Sequence, residues 1–166
     1  MKKLILSITV LFITLSVSSQ TIVDAAASNK DFSTLVTALK AADLVGALSG
    51  EGPFTVFAPN NDAFGKIDSE TLGSLLKPEN VGALSNILTY HVVSGKLMAS
   101  DVTKALKDGY GRVKLTALNG QTFVARSKGG KIFLKDQNGD MSEVIATDVV
   151  GTNGVIHVID SVIMPE

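Results

Sequence analysis

Val155–Met164 carries apolar side chains on both faces of an extended chain. Strand alternation sets Val155, His157, Ile159 and Ile163 on one side, and Ile156, Val158, Val162 and Met164 on the other. A strand with one solvated face keeps polar residues at alternate positions, so this run is predicted to lie centrally in a sheet with cover on both sides. Pro165 ends it.

A second distinctive stretch runs from Gly52 to Phe64. Gly52-Pro53 marks a turn, Phe54 to Ala58 reads as a short strand, and Pro59 stops it before Asn60, Asn61 and Asp62 offer helix-capping side chains. Helical periodicity surrounds this junction. Thr21 to Ala27 offers Ile22, Val23 and Ala26 for burial; Phe32, Leu35, Val36 and Leu39 follow i, i+3, i+4 spacing behind an Asp31 cap; Leu44, Val45 and Leu48 add another turn. After Phe64 the pattern predicts short helices interrupted by Gly65, Gly73 and Pro78, with Pro78 as the first residue of a longer helix. On that helix Val81, Leu84, Ile87, Leu88 and His91 share one stripe, and Val92-Val93 then turns the chain into a strand closed by Ser94-Gly95.

Ser100 is predicted to cap a short helix through Leu106, after which the period changes to two. Val113, Leu115 and Ala117 alternate with polar residues, Asn119-Gly120 signals a tight hairpin, and strands over 121–126, 131–135 and 142–147 complete a meander with turns at Gly129-Gly130 and Asn138-Gly139.

The first residues read as an export signal. Lys2 and Lys3 precede the apolar run Leu4 to Val17, and small residues follow up to Gln20, so residues 1–20 are predicted to be a removable signal peptide and residues 21–166 one domain. The apolar run is shorter than the ~20 residues a spanning helix needs, and no membrane span is expected in the mature chain. The protein is then expected outside the cytoplasm: secreted, periplasmic or at the cell surface. Absence of cysteine removes disulfides and thiolate chemistry. With 15 basic residues against 16 acidic, total charge gives no case for nucleic acid or an anionic membrane surface.

The chain holds no G-x-S-x-G elbow, H-E-x-x-H pair or Walker loop, so no enzyme activity and no cofactor are expected. Asp136, Asn138 and Asp140 imitate the start of an EF-hand loop, but Met141 stands at the glycine position and Thr147 at the final glutamate, which favours a hairpin turn. His91 and His157 lie in apolar runs with no ligand-type neighbour at metal spacing. They read as structural histidines, not metal ligands.

Three segments together resemble the fasciclin domain: Phe54 to Phe64, with Phe54, Thr55, Phe57 and Pro59; Tyr90-His91 followed by Val92-Val93; and Asn153 to Asp160, with Asn153, Gly154 and His157. The resemblance covers nearly the whole mature chain. It implies an α+β fold in which a wedge of two twisted β-sheets packs beside several short α-helices. It also implies a role in cell adhesion or extracellular-matrix interaction through contacts with a surface or matrix protein. In animal matrix members integrin contact has been ascribed to the Tyr-His region, here Tyr90 and His91, and to an acid-led pair before the last box, here Asp148 and Val149. Asp148, preceding the Gly151–Gly154 turn, is the better contact candidate. The alternative is a small-ligand binding protein using a cleft between sheets and helices. Cross-linking by one domain needs two sites, so either weak homo-oligomerisation or a surface-bound partner is implied.

Overall fold

The computed structural model describes residues 20–166. All of the proposed signal peptide but Gln20 lies outside the described residues. The helices are α1 Ile22–Ser28, α2 Ser33–Ala41, α3 Val45–Ser49, α4 Asn61–Gly65, α5 Ser69–Leu75, α6 Val81–Tyr90 and α7 Ala99–Asp108. The strands are β1 Phe54–Pro59, β2 Val92–Ser94, β3 Arg112–Thr116, β4 Thr122–Lys128, β5 Lys131–Lys135, β6 Met141–Gly151 and β7 Gly154–Ile159.

Helix starts depend on side chains that satisfy exposed N–H groups. Thr21 and Asp24 form a capping box on α1, and Asn60 caps α4 through the Ala63 N–H at 2.8 Å. Four sequence expectations shift. Asn29, in place of Asp31, caps a 3₁₀ turn over Lys30–Phe32, and the next free N–H, on Thr34, goes to Asn61 Oδ1 at 3.1 Å. Pro78 opens a separate 3₁₀ turn, with α6 starting at Val81. Gly73 lies inside α5, facing open space. Ser100 is the second residue of α7, whose N-terminal amides are taken by carboxylates: Asp101 accepts from Met98 N–H at 3.0 Å, and Asp148 from Ala99 N–H at 2.8 Å.

The strands form one seven-stranded arrangement in the order β2-β1-β7-β6-β5-β4-β3. β1 and β7 are parallel, and the other pairs are antiparallel. The two sheets share β6, which pairs with β5 over Met141–Glu143 and with β7 from Val144 to Gly151. Register shifts at Val144/Ala146 and Ala146/Val149 bend it between the two. At the far ends the sheets meet through a Val93–Ala117 bridge and a Leu118 N–H donated to Val92 O at 2.8 Å. The expected α+β wedge beside short helices is present.

Both faces of β7 are covered. Ile156 joins Val56 and Val92 against Leu35, Leu39 and Leu88 of the helices, while Ile159 joins Phe57 against Phe123 and Leu134 of the second sheet and Leu106 of α7. Each such side chain contributes about 1.5–3 kcal/mol by leaving water. β7 is shorter than its apolar pattern. It stops at Ile159 because Asp160 Oδ1 takes the Glu143 N–H at 2.8 Å, a ladder position, and the chain leaves the sheet. Burial pulls the Asp160 carboxyl upward, but the hydrogen bonds from Glu143, Lys66 and Ser161 outweigh it and hold it below its ordinary value.

Candidate functional site

The Tyr-His pair closes the corner from α6 into β2. Tyr90 is 0% exposed, donates its hydroxyl to Thr122 O at 3.0 Å, and meets Phe123 edge-on. Burial pushes the Tyr90 phenol up. His91 is 2% exposed and is held by two backbone partners of opposite kind. The Ile87 carbonyl, 2.8 Å from Nδ1, can only accept, and the Ile163 N–H, 3.1 Å from Nε2, can only donate. That fixes one neutral tautomer. Neither Tyr90 nor His91 reaches the surface, so the contact role expected for them gives way to a structural one.

Burial lowers the His91 pKa to about 4. The unfolded chain, with an ordinary imidazole near ~6.5, binds this proton first. Its contribution is therefore complete above that value and is lost as pH falls toward 4. Urea unfolding of the domain, residues 21–166, at pH 7 and pH 5 should show a loss of about 2 kcal/mol from His91, diminished in His91→Gln. Equal pH dependence in the two proteins would contradict it.

The other motif residues also serve the fold. Thr55, 0% exposed, donates its hydroxyl to Gly95 O at 2.6 Å and accepts from Leu97 N–H at 2.8 Å. Asn153 joins three segments: its Oδ1 accepts from Ile22 N–H, and its Nδ2 donates to Leu48 O and Gly50 O. Gly154 lies against the Phe54 backbone in the parallel β1–β7 ladder, while Phe57 and Pro59 are buried in β1. His157 packs its ring 5.5 Å from Phe57, centroid to centroid. The Leu97 carbonyl at 2.7 Å requires hydrogen on Nε2, leaving Nδ1 to accept the Asp148 N–H at 3.4 Å.

Asp148 belongs to β6, not to a loop ahead of the turn. It has φ 62°, a left-handed conformation at the second register shift. Its N–H turns inward to His157, and its carboxylate accepts from Ala99 N–H. Asp148 thus ties β6, β7 and α7 together while remaining exposed. Around it Ile145 is 48% exposed, Val149 39% and Val150 53%. On the side away from β7, β6 pairs with β5 only as far as Glu143, and among the described residues no further strand covers the edge beside these side chains. The sequence holds a trace of this: Val144-Ile145-Ala146-Thr147-Asp148-Val149-Val150 breaks the period of two that the preceding strands keep.

Among the described residues, the layer between α1, α2 and α6 and the sheet is filled by side chains. The cavity there, lined by residues including Leu39, Val56, Leu88 and Ile156, holds about 20 Å³, against ~300–1,000 Å³ for a ligand pocket. The sheet–helix cleft of the alternative reading is therefore a packed core. Asp136 in the β5–β6 turn accepts from the Asp140 and Met164 N–H groups at 2.9 and 3.0 Å, which occupies its carboxylate with backbone. Among the described residues no cluster of three or more His, Cys, Asp or Glu side chains is placed to hold a metal.

The fasciclin domain model matches residues 30–165. The chain belongs to the fasciclin domain family. This fasciclin domain is 50% identical over 148 residues to Protein sll1483 of Synechocystis, covering 89% of this chain and 75% of that protein. It is 36% identical over 141 residues to human periostin, covering 82% of this chain and 15% of periostin. A solved domain pair from the insect cell adhesion molecule fasciclin I shares the fold at a TM-score of 0.77 with 20% identity, over 87% of this chain and 51% of that one. The fasciclin motifs Phe54–Phe64, Tyr90-His91 and Asn153–Asp160 lie within the matched residues and supply interior contacts.

Proposed function

We propose that this fasciclin domain is an exported, non-catalytic adhesion module that binds a cell-surface or matrix protein through the open stretch of β6, Ile145 to Val150. The observation that carries the reading is the exposure of Ile145, Val149 and Val150 on a strand whose outer edge, among the described residues, has no strand neighbour beyond Glu143, with α7 reaching it at Asp148. Unpaired strand edges with apolar side chains invite addition of a partner strand, whose main chain supplies affinity and whose side chains supply specificity. Asp148 positions this surface by holding the bulge, with its carboxylate engaged by α7, and Val149 contributes contact area. Membership of a family that includes an insect cell adhesion molecule supports the same reading.

Binding of labelled mature protein to cells of the producing species tests the proposal. Ile145→Lys/Val149→Lys is expected to reduce binding at least about tenfold, the consequence of placing two charges in an apolar contact, with little change in melting temperature because both positions are exposed. Undiminished binding by that variant would sink the assignment.

A further inference from the structure

The balanced total charge conceals a segregated surface. Packing of Val113, Leu115, Phe123, Ala125, Ile132 and Leu134 into the second core fixes the inner face of β3, β4 and β5. Alternation then sends Arg112, Lys114, Arg126, Lys128, Lys131 and Lys135 to the outer face. One row reads Arg112, Arg126, Phe133, Glu143 across four strands; the next reads Lys114, Val124, Lys135, Met141. Glu143 is the sole carboxylate in these rows, and it is taken by Lys131 at 2.7 Å. The other five cations make no ion pair among the described residues. Acidic excess elsewhere on the chain must offset them, so the near-zero total charge does not describe this face.

Two features of the face oppose stability. Arg112 stands directly opposite Arg126, and Lys128 opposite Lys131, arrangements that repel in an antiparallel ladder. Beside them Tyr110 is 97% exposed with φ 53°, a left-handed backbone that is uncommon for a bulky residue. Tyr110, Gly111, Arg112, Arg126, Lys128 and Met141 border an open groove of about 410 Å³. A bound anion relieves the repulsion, and the free phenol ring provides an apolar plate at the rim of the groove.

We infer that this outer face binds a linear acidic polysaccharide. Its carboxylates would lie along the cation rows, bidentate on the Arg112 and Arg126 guanidiniums, with a sugar ring stacked on Tyr110. The regular grid of charge, with strands ~4.8 Å apart and same-face residues ~6.5–7 Å apart, suits a polymer that repeats a carboxylate on each sugar. Single-stranded nucleic acid requires successive aromatic platforms, and Tyr110 is the sole large aromatic exposed among the described residues. Duplex recognition through the major groove calls for a protruding helix or ribbon, whereas these cations stand on the face of a multistranded sheet. A bilayer surface calls for a continuous apolar face to insert, whereas the rows expose only Met141 strongly. This second surface, together with the open edge of β6, would give a single domain the two sites that cross-linking requires.

Titration of the mature protein with polygalacturonate is the test, with neutral dextran, single-stranded DNA and phosphatidylglycerol vesicles in parallel. Polygalacturonate is expected to bind, more weakly as salt rises, and to raise the melting temperature; dextran is expected not to bind. Arg112→Gln/Arg126→Gln should weaken polygalacturonate at least about tenfold and flatten the salt dependence, while melting no lower than the parent because the cross-strand repulsion is gone. Tyr110→Gly should weaken binding while relieving the backbone. Unchanged affinity in the double Gln variant overturns the inference, as does tighter binding of DNA or vesicles than of polygalacturonate. Cell binding measured in saturating polygalacturonate reads the β6 surface separately, so failure of one site is distinguishable from failure of the other.

Discussion

Gly154→Ala is expected to remove much of the domain's stability and shift its unfolding far below the parental midpoint. An added Cβ would stand 2.2 Å from Phe54 O and 3.0 Å from Phe54 C, both backbone atoms. Neither can retreat. Phe54 is paired on its far side with Ser94 of β2, and its N–H is donated to Asn153 O at 2.9 Å. The β1–β7 ladder between the two cores must therefore open, a penalty of at least about 4 kcal/mol out of the ~5–15 kcal/mol that stabilises a domain. Circular dichroism through a urea titration checks this. Gly73→Ala is the contrast, since its site on α5 faces open space and alanine should add about 0.5–1 kcal/mol of helix stability. A cooperative transition near the parental midpoint in Gly154→Ala would contradict the packing described at this crossing.

His157→Ala is expected to cost about 2–4 kcal/mol. The substitution empties the volume beside Phe57 and leaves Leu97 O and the Asp148 N–H without their partner. The second loss reaches the surface, because Asp148 holds the bulge that presents Val149 and Val150. Differential scanning calorimetry reads the stability, and the same protein should bind cells more weakly than its folded fraction accounts for. An unchanged melting temperature would remove the structural role assigned to this ring.

Much of the architecture was legible where one residue's pattern decided its environment. The two-sided apolar run at Val155–Ile159 announced a central strand, and Phe54–Phe64 announced a strand that turns into a helix. Boundaries fixed by distant partners were not legible. Asn61 supplies the acceptor for the start of α2, and Asp160 ends β7 by taking an amide of β6. Asp148 reads in the sequence as an acid before a turn, yet its left-handed backbone follows from a register shift against β7, which no local pattern carries. The basic face was present in the alternation of Arg112 and Lys114 and became a surface only when register set Arg126, Lys128 and Lys135 beside them. Tyr90 and His91 were recognisable because the corner needs them, and that same need buries them.

The recognisable fasciclin motifs build the interior, and the contact is proposed for the open stretch of β6. Binding of Tyr90→Phe and Val149→Lys to cells, measured side by side with their melting temperatures, separates these two roles. Tyr90→Phe removes only the hydroxyl that reaches Thr122 O and should lose about 0.5–1.5 kcal/mol of stability while binding like the parent. Val149→Lys should melt like the parent and bind poorly. The reverse result, with binding lost in Tyr90→Phe and kept in Val149→Lys, would contradict the account.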